Sequence, residues 1–430
     1  MIHSPSERHK NRLGQVSAKA VACAVIISII VALGGCSARA DSGITWLAGK
    51  DFALKSQAPL IGVDGHKRVL YIAAGDQNAT LMGVDYHSGK VLWTRDMSVE
   101  LKAARPTASG VGYISDLIPA FDSGVLVVDS GSKLIMNFDN RGRLRAVRDY
   151  GGAATGMNSA SPALHYVGPN VGQVIAFDDE GVIRWEQANE PRLGTPRLAV
   201  LGAVVLASWH SGDTIDAYDR LDGNQKWTLG FPGMTEFTIS RMDDSSALVT
   251  YQHDVKAQSV DDTASFDWFW RVFDVSAIDD RGATLWKLQL PQRHGRVTSA
   301  VDEVSRRIIV VGTRPGPTGS IDPLYHLYVI SFDGKVLSEG DIPVGPNPFS
   351  LIVMDKTQFT FGTLDGTLTS IREDGSMAWS LEFAEELGTK VESVRVLDVV
   401  NGEAIVVVNN RLAFCVGRVN LKNPTNGSKK

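Results

Sequence analysis

Short apolar runs of four to eight residues recur along most of the chain, separated by Asp, Asn, Ser and Gly. Alternation between apolar and polar positions is visible in 204–208, 308–312, 327–332 and 405–409. This is the period of half-buried strands bounded by turns. No window after residue 36 has the period of a long amphipathic helix, so the pattern predicts an all-β protein. One apolar run differs. Residues 20–33 form a continuous apolar stretch preceded by Arg8, Lys10, Arg12 and Lys19 and followed by Gly34-Gly35-Cys36. A charged region, an apolar core and small residues before a cut are the parts of a secretory signal. The run is too short for a spanning helix, which needs about 20 apolar residues.

A unit repeats within the β region. It consists of an aromatic or aliphatic residue before Asp, a turn ending in Gly, and Trp four residues after that Gly. The full copies are Val84-Asp85…Gly89…Trp93, Phe177-Asp178…Gly181…Trp185, Tyr218-Asp219…Gly223…Trp227 and Ile278-Asp279…Gly282…Trp286. A looser copy is Ile371…Gly375…Trp379. Two copies lack the Trp, with Ala146 and Ser338 in its place. The turn glycines at 89, 142, 181, 223, 282, 334 and 375 are spaced 53, 39, 42, 59, 52 and 41 residues apart. A base period near 40 residues with insertions is that of four-stranded propeller blades. Asp bonds its own downstream amides, and Gly supplies the positive φ of a tight turn.

Two resemblances follow from these residues. Leu33-Gly34-Gly35-Cys36 resembles a bacterial lipobox, which implies diacylglycerol on Cys36 and removal of residues 1–35. The mature chain then holds 39 basic and 47 acidic residues, a net charge of −8 against −5 for the whole sequence. Cys23 leaves with the signal, Cys36 carries lipid, and Cys415 has no thiol partner. The Ala-x-Asp…Gly-x-x-x-Trp unit resembles the PQQ-like (quinoprotein-type) propeller repeat. In that family each such Trp docks on the neighbouring blade, which implies structural roles for Trp46, Trp93, Trp185, Trp227, Trp286 and Trp379.

The expected organisation is a signal peptide (1–35), a lipidated tether (36–42), a propeller (43–419) and a polar tail (420–430). Seven turns give seven outer strands. The three strands after the last turn lack a fourth, and Ile44–Leu47 is expected to supply it. The expectation is an eight-bladed β-propeller of four-stranded antiparallel blades, monomeric and closed by its N-terminal strand.

Chemistry is sparse in the sequence. A net acidic chain is unsuited to nucleic acid. The nine histidines show no metal-ligand spacing, and no P-loop or nucleophile turn occurs. Quinoprotein dehydrogenases of this fold are longer, and many carry an adjacent Cys pair that this chain lacks. We assign no catalytic, cofactor or metal residue and expect none of these groups. Phe266, Trp268 and Trp270 lie together off the repeat and are candidate partner-binding residues, with an enlarged core as the competing reading. The expected function is a protein-binding or assembly scaffold on the outer side of the cell membrane, held by lipid at Cys36. By fold, repeat and lipobox it resembles the propeller lipoprotein of the outer-membrane β-barrel assembly machinery. The alternatives are a quinone-dependent dehydrogenase and a glycan or small-ligand sensor.

Overall fold

The computed structural model describes residues 44–420 except 54–59, 65–68, 75–78, 121–123, 150–153, 162–163, 170–172, 179, 189–195, 210–213, 232–233, 254–271, 292–293, 296, 315–323, 343–347, 356–357, 364–365, 385–390, 392, 401–402 and 410–412. Cys36, Phe266, Trp268, Trp270 and the tail after Asn420 lie outside the described residues. So does the side chain of Trp46.

Among the described residues the strands form four-stranded antiparallel sheets, eight in number. The chain starts with β1 (Ile44–Ala53) and then builds its sheets in sequence. Sheet 1 holds β2 (Leu60–Asp64), β3 (Val69–Ala74), β4 (Thr80–Asp85) and β5 (Val91–Asp96). Helix α1 (Met97–Ala104) follows, then sheet 2 with β6 (Ile114–Ala120), β7 (Gly124–Asp129), β8 (Leu134–Asp139) and β9 (Leu144–Asp149). Sheet 3 holds β10 (Ala154–Ser161), β11 (Leu164–Pro169), β12 (Gln173–Phe177) and β13 (Ile183–Ala188). Sheet 4 holds β14 (Arg197–Val200), β15 (Val204–Ser208), β16 (Thr214–Asp219) and β17 (Gln225–Gly230). Sheet 5 holds β18 (Met234–Asp243), β19 (Ser246–His253), β20 (Val272–Asp279) and β21 (Thr284–Gln289). Sheet 6 holds β22 (Val297–Asp302), β23 (Arg307–Arg314), β24 (Leu324–Ser331) and β25 (Val336–Ile342). Sheet 7 holds β26 (Pro348–Asp355), β27 (Gln358–Thr363), β28 (Thr367–Arg372) and β29 (Met377–Glu382). Sheet 8 holds β30 (Ser393–Val400), β31 (Glu403–Asn409) and β32 (Ala413–Asn420), and its fourth strand is β1.

Each sheet is a meander, and the first strands lie side by side from β2 to β30. This is β-propeller architecture. The second and third strands are almost fully buried, as in β7, β8, β15 and β20, because neighbouring sheets cover both of their faces. The outer strands alternate instead, as β17 and β21 do. The core is a series of clusters between adjacent sheets. One cluster joins Leu70, Ile72, Met82 and Val84 of sheet 1 to Ile405 and Val407 of sheet 8.

The repeat explains the joints between sheets. All seven turn glycines have positive φ, from 68° at Gly89 to 83° at Gly282 and Gly334. Asp139 Oδ1 accepts the amides of Arg141 and Arg143, both at 2.9 Å. Asp279 Oδ1 accepts those of Arg281 at 3.0 Å and Ala283 at 2.7 Å. The tight turn leaves a flat glycine for the indole of the preceding sheet. A Cβ on Gly142 would lie 2.5 Å from the Trp93 ring. The indole Nε1 then donates to a carbonyl in the same turn. Trp93 reaches Asn140 at 2.8 Å, Trp185 reaches Arg220 at 3.0 Å, Trp227 reaches Asp280 at 2.9 Å and Trp286 reaches Phe332 at 2.6 Å.

The two Trp-less copies solve the joint differently. Ser338 donates its hydroxyl to Glu373 O at 2.7 Å, taking over the indole's bond. Gly340 lets that strand close on the next turn, 2.9 Å from Asp374 O to an added Cβ. Ala146 has no side-chain donor to take the indole's place. The stem of Arg148 and the side chain of Ile135 cover Gly181 instead, each 3.7 Å from where a Cβ would sit.

Candidate functional site

The meander puts first-to-second and third-to-fourth turns at one end of every sheet. Second-to-third connections and the links between sheets lie at the other. The first we call the turn end and the second the link end. At the turn end the connections bond to each other across sheets. Gly202 of sheet 4 donates its amide to Asp244 O of sheet 5 and the Tyr86 hydroxyl of sheet 1 reaches Glu403 of sheet 8 at 3.2 Å, while within sheet 5 Asp280 donates to Ser245 O. Arg306 meets Asp243, and Arg307 pairs with Glu373. The Asp carboxylates here are committed locally. The hydroxyl and then the amide of Ser88 hold Asp85 below the usual carboxylate range. Lys226, then the Leu221 amide, does so for Asp219.

The link end is irregular. The link between β5 and β6, residues 97–113, holds a helix of eight residues that the apolar pattern does not foreshadow. Its start is set by Asp96, whose Oδ1 accepts the amides of Ser98 and Val99 at 2.9 and 3.2 Å. Met97 and Leu101 are buried against sheets 1 and 2, whereas Val99 is 62% exposed. Arg105 closes the helix. It takes both oxygens of Asp149 at 3.0 Å and also bonds Val147 O. The return segment before β6 is fixed as firmly. Ser98 Oγ accepts the amide of Val111 at 3.2 Å, and Asp129 accepts those of Gly112 at 2.8 Å and Ser132 at 2.9 Å. Gly112 crosses Gly131 so closely that a Cβ on Gly131 would lie 2.3 Å from the Tyr113 nitrogen. The result is a rigid platform that holds Val99 and Tyr113 (47% exposed) out into solvent.

A second cluster lies at the same end of sheet 6. His294 Nε2 is 3.2 Å from the Tyr328 hydroxyl. His326 stands edge-on to the Tyr328 ring at 4.7 Å between centroids and places Nδ1 2.7 Å from Asp341. Both histidines are buried. Their sequence positions gave no sign of this, because the cluster draws on three separated segments. Among the described residues no group of three His, Cys, Asp or Glu side chains is placed to hold a metal ion. Segments 254–271 and 315–323 join second to third strands of sheets 5 and 6, so their ends also lie at the link end.

Of the residues singled out in the sequence, Trp93, Trp185, Trp227 and Trp286 are joints between sheets. Trp379 packs at the edge of the cluster between sheets 7 and 8. Val99, Tyr113 and the His294–His326 cluster were not legible as site residues. For the platform the only local signals are Asp96-Met97-Ser98, a helix cap, and the Gly110-Val111-Gly112 pair.

One ionisable group stands apart on the innermost strands. Asp116, beside an irregularity in β6, is pushed up to about 6 by burial, with the Leu117 amide opposing. A raised folded-state value means the charged form costs stability. The cost is full above about pH 6 and disappears as pH falls through the window from about 6 to 4. At about 1.4 kcal/mol per unit, Asp116→Asn is expected to stabilise the protein by about 1–3 kcal/mol at pH 7.5 and by nothing at pH 4. Urea unfolding of both proteins at the two pH values checks this; an equal effect at both removes the burial argument.

Comparison with known proteins adds the following. Residues 151–342 match the PQQ_2 family model, described as outer membrane protein assembly factor BamB. No curated protein matches the chain. Among solved structures, BamB from Moraxella catarrhalis is similar at 16% identity over 77% of this chain and 92% of that one, with a TM-score of 0.48. The computationally designed Ika8 protein aligns at 13% identity over 85% and 98%, with a TM-score of 0.54. Sqt1 from Saccharomyces cerevisiae aligns at 10% identity over 83% and 94%, with a TM-score of 0.56. At such identities the likeness is one of fold. Repeat and profile together make this a PQQ-like propeller that resembles BamB.

Proposed function

We propose that the chain is a lipid-anchored, extracytoplasmic propeller of eight blades that binds envelope proteins as a non-enzymatic scaffold. The pairing of β1 with β32 and the apolar cluster shared by sheets 1 and 8 support a closed ring. Closure would leave no large sheet edge for unwanted pairing. The lipobox at Cys36 supports the anchor, and the partial match to the BamB family model supports an assembly role.

One observation carries the binding reading: the difference between the two ends of the molecule. Among the described residues the turn end is made of short connections bonded within and between sheets. The link end carries the platform with Val99 and Tyr113, and the longer connections start and finish there. Aromatic side chains held rigidly in solvent are what interface hot spots are made of. A photo-reactive phenylalanine analogue at Tyr113 is therefore expected to capture a discrete envelope protein in intact cells, and the same group at Leu221, at the turn end, is not. Capture from both positions alike, or from neither, defeats this reading. Reduction of a redox dye by the purified protein with added quinone cofactor and Ca²⁺ would replace it with an enzymatic one.

A further inference from the structure

We infer that the turn end is the face that meets the lipid bilayer, so that the link end, with Val99 and Tyr113, is presented away from it. This rests on the lipid anchor proposed above. Three separate observations lead to it.

The first is register. In sheet 8, β1 begins with Ile44 opposite Val419, and β31 begins with Glu403 opposite Asn420. Val400 pairs with Glu403 in the first-to-second connection. Ile44, Asn420 and Glu403 are therefore all at the turn end, and the Tyr86–Glu403 bond joins that corner to the turn of sheet 1. The chain enters the propeller here. Seven residues, and so eight Cα-to-Cα steps, separate Cys36 from Ile44. Fully extended they span about 27 Å, short enough to hold this end near the membrane surface.

The second observation is the exit. The chain leaves β32 at the same corner, and Lys422, Lys429 and Lys430 follow. Basic residues close to a bilayer are drawn to anionic headgroups. In the sequence a lipid signal and a basic run, the two signals that stable attachment needs, flank β1 and β32, which meet at this corner.

The third is what stands on this end. The two most exposed large apolar side chains among the described residues are Val304 (87%) and Leu221 (77%). Val304 tips the first-to-second turn of sheet 6, and Leu221 tips the third-to-fourth turn of sheet 4. The carboxylates around them are turned onto turn amides or onto cations, as in Asp219–Lys226 and Asp333–Lys335. That lowers the repulsion an acidic face would feel from anionic lipid.

The test uses the full lipidated protein with Cys415→Ser, so that one introduced thiol can be labelled. Fluorophores are placed at Leu221→Cys or Val304→Cys, and at Val99→Cys or Tyr113→Cys for the other end. The vesicles contain phosphatidylethanolamine, phosphatidylglycerol and a headgroup-spin-labelled lipid as quencher. Quenching at 221 and 304 is expected to exceed that at 99 and 113 at least twofold. Equal quenching, or stronger quenching at the link end, overturns the orientation while leaving the anchor intact. Flotation with the vesicles is scored in the same samples beside Cys36→Ser. Wild type that floats no better than Cys36→Ser overturns the anchor, and the orientation falls with it.

Discussion

Replacing Trp185 by alanine is expected to cost about 3–5 kcal/mol of stability, the range for removing a buried aromatic. The indole is 7% exposed and lies over Gly223, where a Cβ would approach it to 2.6 Å. Tyr166 and Tyr218 stand 5.8 and 6.5 Å from it, ring centre to ring centre. Its Nε1 and the Tyr166 hydroxyl both donate to Arg220 O, at 3.0 and 3.3 Å. The truncation therefore empties a joint between sheets 3 and 4 that no flexible side chain is placed to refill. Trp185→Phe separates packing from the hydrogen bond. It keeps most of the apolar contact and leaves Arg220 O its Tyr166 donor, so about 1 kcal/mol is expected. Leu221→Ala, on the exposed tip of the same turn, should fall within about 0.5 kcal/mol of wild type. Urea unfolding measures all three. Similar midpoints for Trp185→Ala and Leu221→Ala would show that the repeat tryptophans do not hold the sheets together.

The same joints show what the sequence can and cannot tell. The Asp…Gly…Trp unit is legible because each part answers a local demand: an amide acceptor, a positive φ, and an indole that fits over a glycine. Four copies read from the sequence are four joints in the structure. Ser338 was legible only as a missing Trp, because a hydroxyl reaching Glu373 O depends on how closely Gly340 lets two backbones approach. Helix α1 was not legible because it is only eight residues long. Two buried apolar residues, Met97 and Leu101, set no period against the surrounding strands, and the capping bond of Asp96 depends on where β5 stops. The His294–Tyr328–His326 cluster was hidden for a different reason. His326 and Tyr328 stand two apart on β24, but His294 reaches them from the link before β22, and no spacing along the chain encodes that meeting.

Deleting residues 43–53, and with them β1, is expected to have an effect at least as large as Trp185→Ala. β1 registers with β32 at six positions, from Ile44 opposite Val419 to Ala53 opposite Ala413, with irregularities around Ala48. At about 1 kcal/mol per ladder bond, its loss costs about 5 kcal/mol before any side-chain contact is counted. It also leaves the row of amides and carbonyls on β32, from Ala413 to Asn420, without a partner strand. An unpaired edge of that length is a template for another chain. The truncated protein should therefore unfold at a lower urea concentration and also self-associate, which sedimentation velocity at rising concentration detects. Deleting residues 37–42 serves as the control, because that segment precedes β1 and its removal leaves the β1–β32 ladder whole. A truncated chain lacking β1 that stays monomeric and unfolds with the control would mean that the N-terminal strand is only laid against sheet 8, and that the ring holds without it.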